Sequence, residues 1–200
     1  MGPVFDSVAP THAERAETRP GDDLVASADV VMDRAFTVAG RPQDVWPWIV
    51  QLGKARAGWY FSRRVERLVP PNRRAVRHLD PRWQALGVGD VIPDYGGPSA
   101  SFTVAALHAP EVLVYRSTRG RLNLSWSITL RALDDDPSSE RTRVLLRLRL
   151  GPVKRRWLAG TVGGFFDLVT IAAKVVRLLV TRNIQVDNWN NDGQPDGPKD

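Results

Sequence analysis

Cysteine is absent from this chain. That absence excludes disulfides, thiolate catalysis and Cys-based zinc sites, and nothing points to an oxidising compartment. Histidine is scarce as well, with only three in 200 residues. His12 falls in a polar leader, His78 in a basic loop and His108 at a turn, and none has the spaced His or carboxylate partner of a metal site or a triad. All three are expected at the surface, and no metal or cofactor is implied. The leader, MGPVFDSVAPTHAERAETRPGDD, contains no apolar run of the signal-peptide kind, so the expectation is a cytoplasmic protein. No internal repeat and no linker divides the middle of the chain.

The hydrophobic fraction, 42%, and the charged fraction, 25%, are those of one ordinary globular domain. The formal net charge is +6, which favours anionic surroundings without choosing among nucleic acid, phospholipid and plain solubility. Residues 1–26, rich in Pro, Gly, Asp and Glu, are expected to be disordered. The segment 185–200 is expected to form a flexible tail, which leaves 27–184 as the domain. Val162 to Val180 is nearly apolar and about long enough to span a bilayer. However, Asp167, Thr170, Lys174, Arg177 and Thr181 recur at steps of three and four, one polar stripe on a broadly apolar helix. A soluble helix over Leu158–Thr181 is the better reading, because charges in lipid are costly.

Val30 to Val38 reads as a strand interrupted by Arg34, after which GRPQD opens a helix with Asp44 as its cap and Pro47 in its first turn. A second helical piece is expected over Ser62–Val69, ending at Pro70-Pro71, and a turn of helix at PRWQAL. Four strands follow a GVGDVIP turn, over 101–107, 112–117, 122–130 and 144–150. The third alternates strictly: Leu122, Leu124, Trp126, Ile128 and Leu130 share one face, with Asn123, Ser125, Ser127 and Thr129 on the other. The fourth opposes Val144, Leu146, Leu148 and Leu150 to Arg143, Arg147 and Arg149. These strands predict an antiparallel sheet with one dry and one wet face, the arginines forming a solvated stripe and the long helix covering the dry side. Nucleic acid is an unlikely partner, since an oligonucleotide platform interleaves aromatics with basic residues and here the two lie on opposite faces.

The order of strand, two short helices, antiparallel meander and long C-terminal helix resembles the helix-grip fold of the START, Bet v 1 and polyketide-cyclase superfamily, known as SRPBCC. The most specific stretch is DVWPWIVQLGKARAGWYFSRRVERL, similar to a bacterial polyketide cyclase/dehydrase-like pattern of W-P-W, then Q-hydrophobic-G, then A-G-W-Y. LGVGDVIPDYG resembles the turn those proteins carry after the second helix. YFSRR departs from the pattern, being basic where an acidic residue is commoner. The resemblance implies an α+β domain whose curved antiparallel sheet wraps the long helix around a cavity for a hydrophobic ligand.

On that expectation the aromatics divide between structure and pocket. Trp46 and Trp48 brace the sheet edge, and Trp59 either closes the gap between the two short helices or, with Tyr60, forms a cavity mouth. The cavity wall is expected from Trp59, Trp126, Phe166, Val169, Ala173 and Val176, with Gly163, Gly164, Ala172 and Ala173 leaving room. If an acid or base operates, Asp94, Tyr95, Tyr115, Arg116 and Glu66 are the candidates. Three functions stay open: a carrier of a lipid, polyketide-like compound or isoprenoid, a cyclase or dehydratase using the same cavity, and lipid exchange at an anionic membrane, with KRRW as one contact. The oligomeric state is not legible.

Overall fold

A computed structural model of the protein describes residues 9–53, 56, 78–94, 100–133 and 140–153. Its centre is a curved six-stranded antiparallel sheet, β1 (Val30–Ala39), β2 (Val91–Pro93), β3 (Ser101–His108), β4 (Val112–Arg119), β5 (Leu122–Ala132) and β6 (Arg141–Gly151). Their spatial order is β1-β6-β5-β4-β3-β2, so the first strand closes onto the last. The strands foreseen over 122–130 and 144–150 each extend further, pairing from Asn123 opposite Gly151 to Ala132 opposite Thr142. Directly opposed residues share a face, so this register places Trp126 beside Leu148 and Ile128 beside Leu146. The long C-terminal helix and the second helical piece expected from the sequence lie outside the described residues.

The inner face carries the core. Phe36, Val38, Leu113, Ile128, Leu130, Val144 and Leu146 are buried together against Val45, Trp48 and Ile49 of α2 (Pro42–Val50). This helix begins two residues before the expected cap. Pro42 takes the first turn, where its fixed φ and missing N–H cost least. Asp44 sits in that turn instead of capping it, its carboxylate accepting the Arg41 backbone N–H at 3.3 Å and Nε at 2.9 Å. Pro47 therefore stands inside the helix. Trp48 is buried in the core and Trp46 packs at its margin, as bracing residues. Arg34 turns its guanidinium to the Asp33 carbonyl at 2.7 Å.

Gln51, fully buried, ties the end of α2 to the segment before β2. Its Nε2 donates to the His78 carbonyl at 3.0 Å, and its Oε1 accepts from the Asp80 N–H at 3.1 Å and Gln84 Nε2 at 3.2 Å. Beyond it the turn of helix expected at PRWQAL is a 3-10 turn, Pro81–Trp83, capped by Asp80.

The outer face differs most from expectation. The leader is not disordered from Thr11 on: α1 (His12–Ala16) starts with a capping box between Thr11 and Glu14, and a 3-10 turn covers Asp23–Val25. This strap lies across the polar face, so the arginines of β6 are not a solvated stripe. Arg147 is 4% exposed and donates to the carboxylates of Asp33 (2.7 Å) and Asp22 (2.9 Å) and to the carbonyls of Glu17 and Arg15 (both 2.7 Å). Arg143 meets Glu14 at 2.8 Å, Arg131 meets Glu17, and Arg149 reaches the carbonyls of Val25 and Ala26. Arg143 holds the Glu14 carboxyl down to about 2. Gly21, at φ 87°, passes so close that a Cβ there would lie 2.5 Å from Val114 Cγ1. Sequence patterning missed this strap because polar contacts, rather than apolar periodicity, hold most of it.

Candidate ligand-binding site

Strand alternation delivers three aromatic rings to one patch of the inner face. Tyr115 of β4 stands directly opposite Trp126 of β5, and Phe102 of β3 completes the group. The ring centroids are 5.8 Å apart for Tyr115–Trp126, 5.9 Å for Phe102–Tyr115 and 6.0 Å for Phe102–Trp126, all tilted. These are favourable separations for edge and offset contacts, and the three rings form a single apolar surface.

Two polar atoms in this patch have no partner among the described residues. Tyr115 Oη and Trp126 Nε1 are both buried without a hydrogen bond, although the Tyr115 side chain belongs to the core at 2% exposure. Buried polar groups ordinarily find a partner, and an orphan costs free energy. Burial pushes the Tyr115 phenol well above its ordinary value, with Arg56 opposing the rise, so the hydroxyl stays neutral and available as a donor. The indole N–H is a donor only. Ser117, next on the same face, is already satisfied by the Ser101 carbonyl at 2.6 Å.

Arginines flank the rings. Arg119 lies over Phe102, 5.4 Å from its centroid, and forms an ion pair with Asp94. Asp94 is itself placed by its N–H donating to the Ala100 carbonyl at 2.8 Å. Arg56 stacks over Trp83, 4.2 Å from its centroid. The Arg56 stem runs beside Gly53, where a Cβ would approach Arg56 Cδ to 3.3 Å and Ile92 Cγ2 to 2.7 Å.

The expected site residues therefore separate. Trp126 and Tyr115 come together, and Asp94 is joined to the patch through Arg119, which lies over Phe102. Arg116 does not join them; it is exposed on the outer face, opposite Ser125. Trp59, Tyr60, Glu66, Tyr95, Phe166, Val169, Ala173 and Val176 lie outside the described residues. Phe102, Trp83, Arg56 and Arg119 were not foreseen; the parity of β3 pointed to Phe102 once its pairing with β4 was known. The three histidines are exposed, as expected. Among the described residues no three His, Asp or Glu side chains gather as metal ligands, and no helix is long and apolar enough to cross a membrane.

No family model and no curated protein matches the chain. Solved structures do resemble it. The protein XoxI from Bacillus cereus is similar at 10% identity and a TM-score of 0.48, over 78% of this chain and 98% of its own. CalU16 from Micromonospora echinospora is similar at 10% identity and a TM-score of 0.41, over 80% and 86%. A Polyketide_cyc-like protein from Corynebacterium glutamicum is similar at 11% identity and a TM-score of 0.38, over 82% and 97%.

Proposed function

We propose that the protein binds a hydrophobic small molecule on the inner face of its sheet. The observation that carries this reading is the ring surface of Phe102, Tyr115 and Trp126, in which two buried donors have no partner among the described residues. A closed core would be better served by Phe at both donor positions, whereas a ligand oxygen would satisfy one or both. The helix expected over Leu158–Thr181 would cover the ligand, as the helix-grip resemblance implies. A lipid, a polyketide-like compound or an isoprenoid would each fit that description.

Carriage is favoured over catalysis. Asp94 is occupied by Arg119, and Tyr115 is shifted away from the range in which a phenol exchanges protons near neutrality. Lipid exchange through the arginines of β6 is disfavoured, because the strap already engages them.

The test is titration with phenylnaphthylamine, a neutral apolar fluorophore. Saturable enhancement at one site per chain is expected, weakened severalfold in Trp126→Phe. No saturable binding would mean a filled core and would remove the proposal.

A further inference from the structure

The chemistry of the ligand's polar end follows from which inner-side cations already have a counter-charge. Arg119 has one in Asp94. Arg56 has neither an ion pair nor a side-chain hydrogen bond among the described residues; its guanidinium meets the face of Trp83. Asp90 is near enough to favour its charge, but the Asp90 carboxylate accepts the Gly87 N–H at 2.9 Å. Stacking occupies the flat face of a guanidinium and leaves the N–H edge for a bidentate acceptor.

We propose that the inner-face site takes an amphipathic anion, its apolar body against Phe102, Tyr115 and Trp126 and its carboxylate on the guanidinium edge of Arg56. The proposal rests on the ligand-binding reading above and specifies the chemical class. Arg56 is held for the task at both ends. Its backbone N–H donates to the Gly53 carbonyl at 3.2 Å, and its tip is pinned by Trp83. Partial burial works against its charge, while the Tyr115 hydroxyl lies close enough to interact with it electrostatically. A partly desolvated cation that no carboxylate contacts is costly, and an incoming carboxylate would offset that cost. On this side the Arg56 guanidinium, the Tyr115 hydroxyl and the indole N–H groups of Trp126 and Trp83 have no hydrogen-bond partner among the described residues, and each can donate. An acceptor-only head group matches that set better than an alcohol or an amine does.

The experiment compares matched acids and alcohols on the full chain, by displacement of phenylnaphthylamine. Dodecanoate is set against dodecanol, and naphthoate against naphthalenemethanol in case the ligand body is a ring. In at least one pair the acid is expected to bind about tenfold or more tightly than the alcohol, the order of a charge-assisted hydrogen bond. Arg56→Gln is expected to abolish most of that preference, lowering acid affinity far more than alcohol affinity. Arg56→Lys, which keeps the charge without the fork, should retain part of it. Thermal melts of both variants check that the fold is kept. Equal binding of acid and alcohol in both pairs would overturn the proposal and leave the neutral-ligand reading standing, as would an acid preference that survives Arg56→Gln. Failure of the fluorophore and of all four compounds to bind would remove both readings.

Discussion

Tyr115 and Trp126 are costly residues for a plain core, since each buries a polar atom that nothing among the described residues satisfies. That cost gives the two effects of one substitution opposite signs. Tyr115→Phe removes an orphan hydroxyl, so the unliganded protein should be as stable or more stable, by up to about 1 kcal/mol. The same change removes a donor from the ligand, so affinity should fall about fivefold, the equivalent of one ordinary hydrogen bond. Chemical denaturation and fluorophore titration of the same sample separate the two. A loss of stability with unchanged affinity would make the hydroxyl structural. At this scale the sequence was informative about Trp126, whose place in a strictly alternating strand assigned its face. Tyr115 could be suspected, but its partner ring and the isolation of its hydroxyl depend on register. Phe102 depends further on a bulge in β3 between Val104 and Ala106, which shifts the pairing partway along the strand and which no alternation pattern reveals.

Among the elements, the strap over 11–25 has the clearest consequences. Glu14 has a folded value of about 2 against an ordinary 4.5, held down chiefly by its hydrogen bond to Arg143. A carboxyl with a depressed folded value contributes stability that is complete above its unfolded value. That contribution is lost as the pH falls from about 4.5 towards 2. Discounted for solvent screening, it is roughly 1 to 2 kcal/mol near neutrality. Glu14→Gln should therefore lower the urea midpoint at neutral pH and have progressively less effect as the buffer is acidified. A difference between wild type and variant that stayed constant with pH would contradict this ion pair. The strap also shows where patterning fails. Its residues have the composition of a disordered leader, and its anchors are arginines over a hundred residues away in sequence. By contrast α2 was legible to within two residues, because Pro and Asp mark a helix start through local chemistry.

For the whole molecule, the six-stranded order joins the first strand to the last, leaving a polar outer face under the strap and an apolar inner face with one aromatic patch. The antiparallel meander was readable because alternation and short turns are local signals. The closure of β1 on β6 was not, since it joins segments separated by most of the chain. The central claim is that the aromatic patch receives a small apolar molecule. Native mass spectrometry of the freshly purified full chain, followed by solvent extraction, tests it most directly. A mass excess of one small molecule per chain is expected, released into organic solvent as a compound with an apolar body and an acidic group. A clean unliganded mass, together with no thermal stabilisation by the acids or the alcohols, would contradict it.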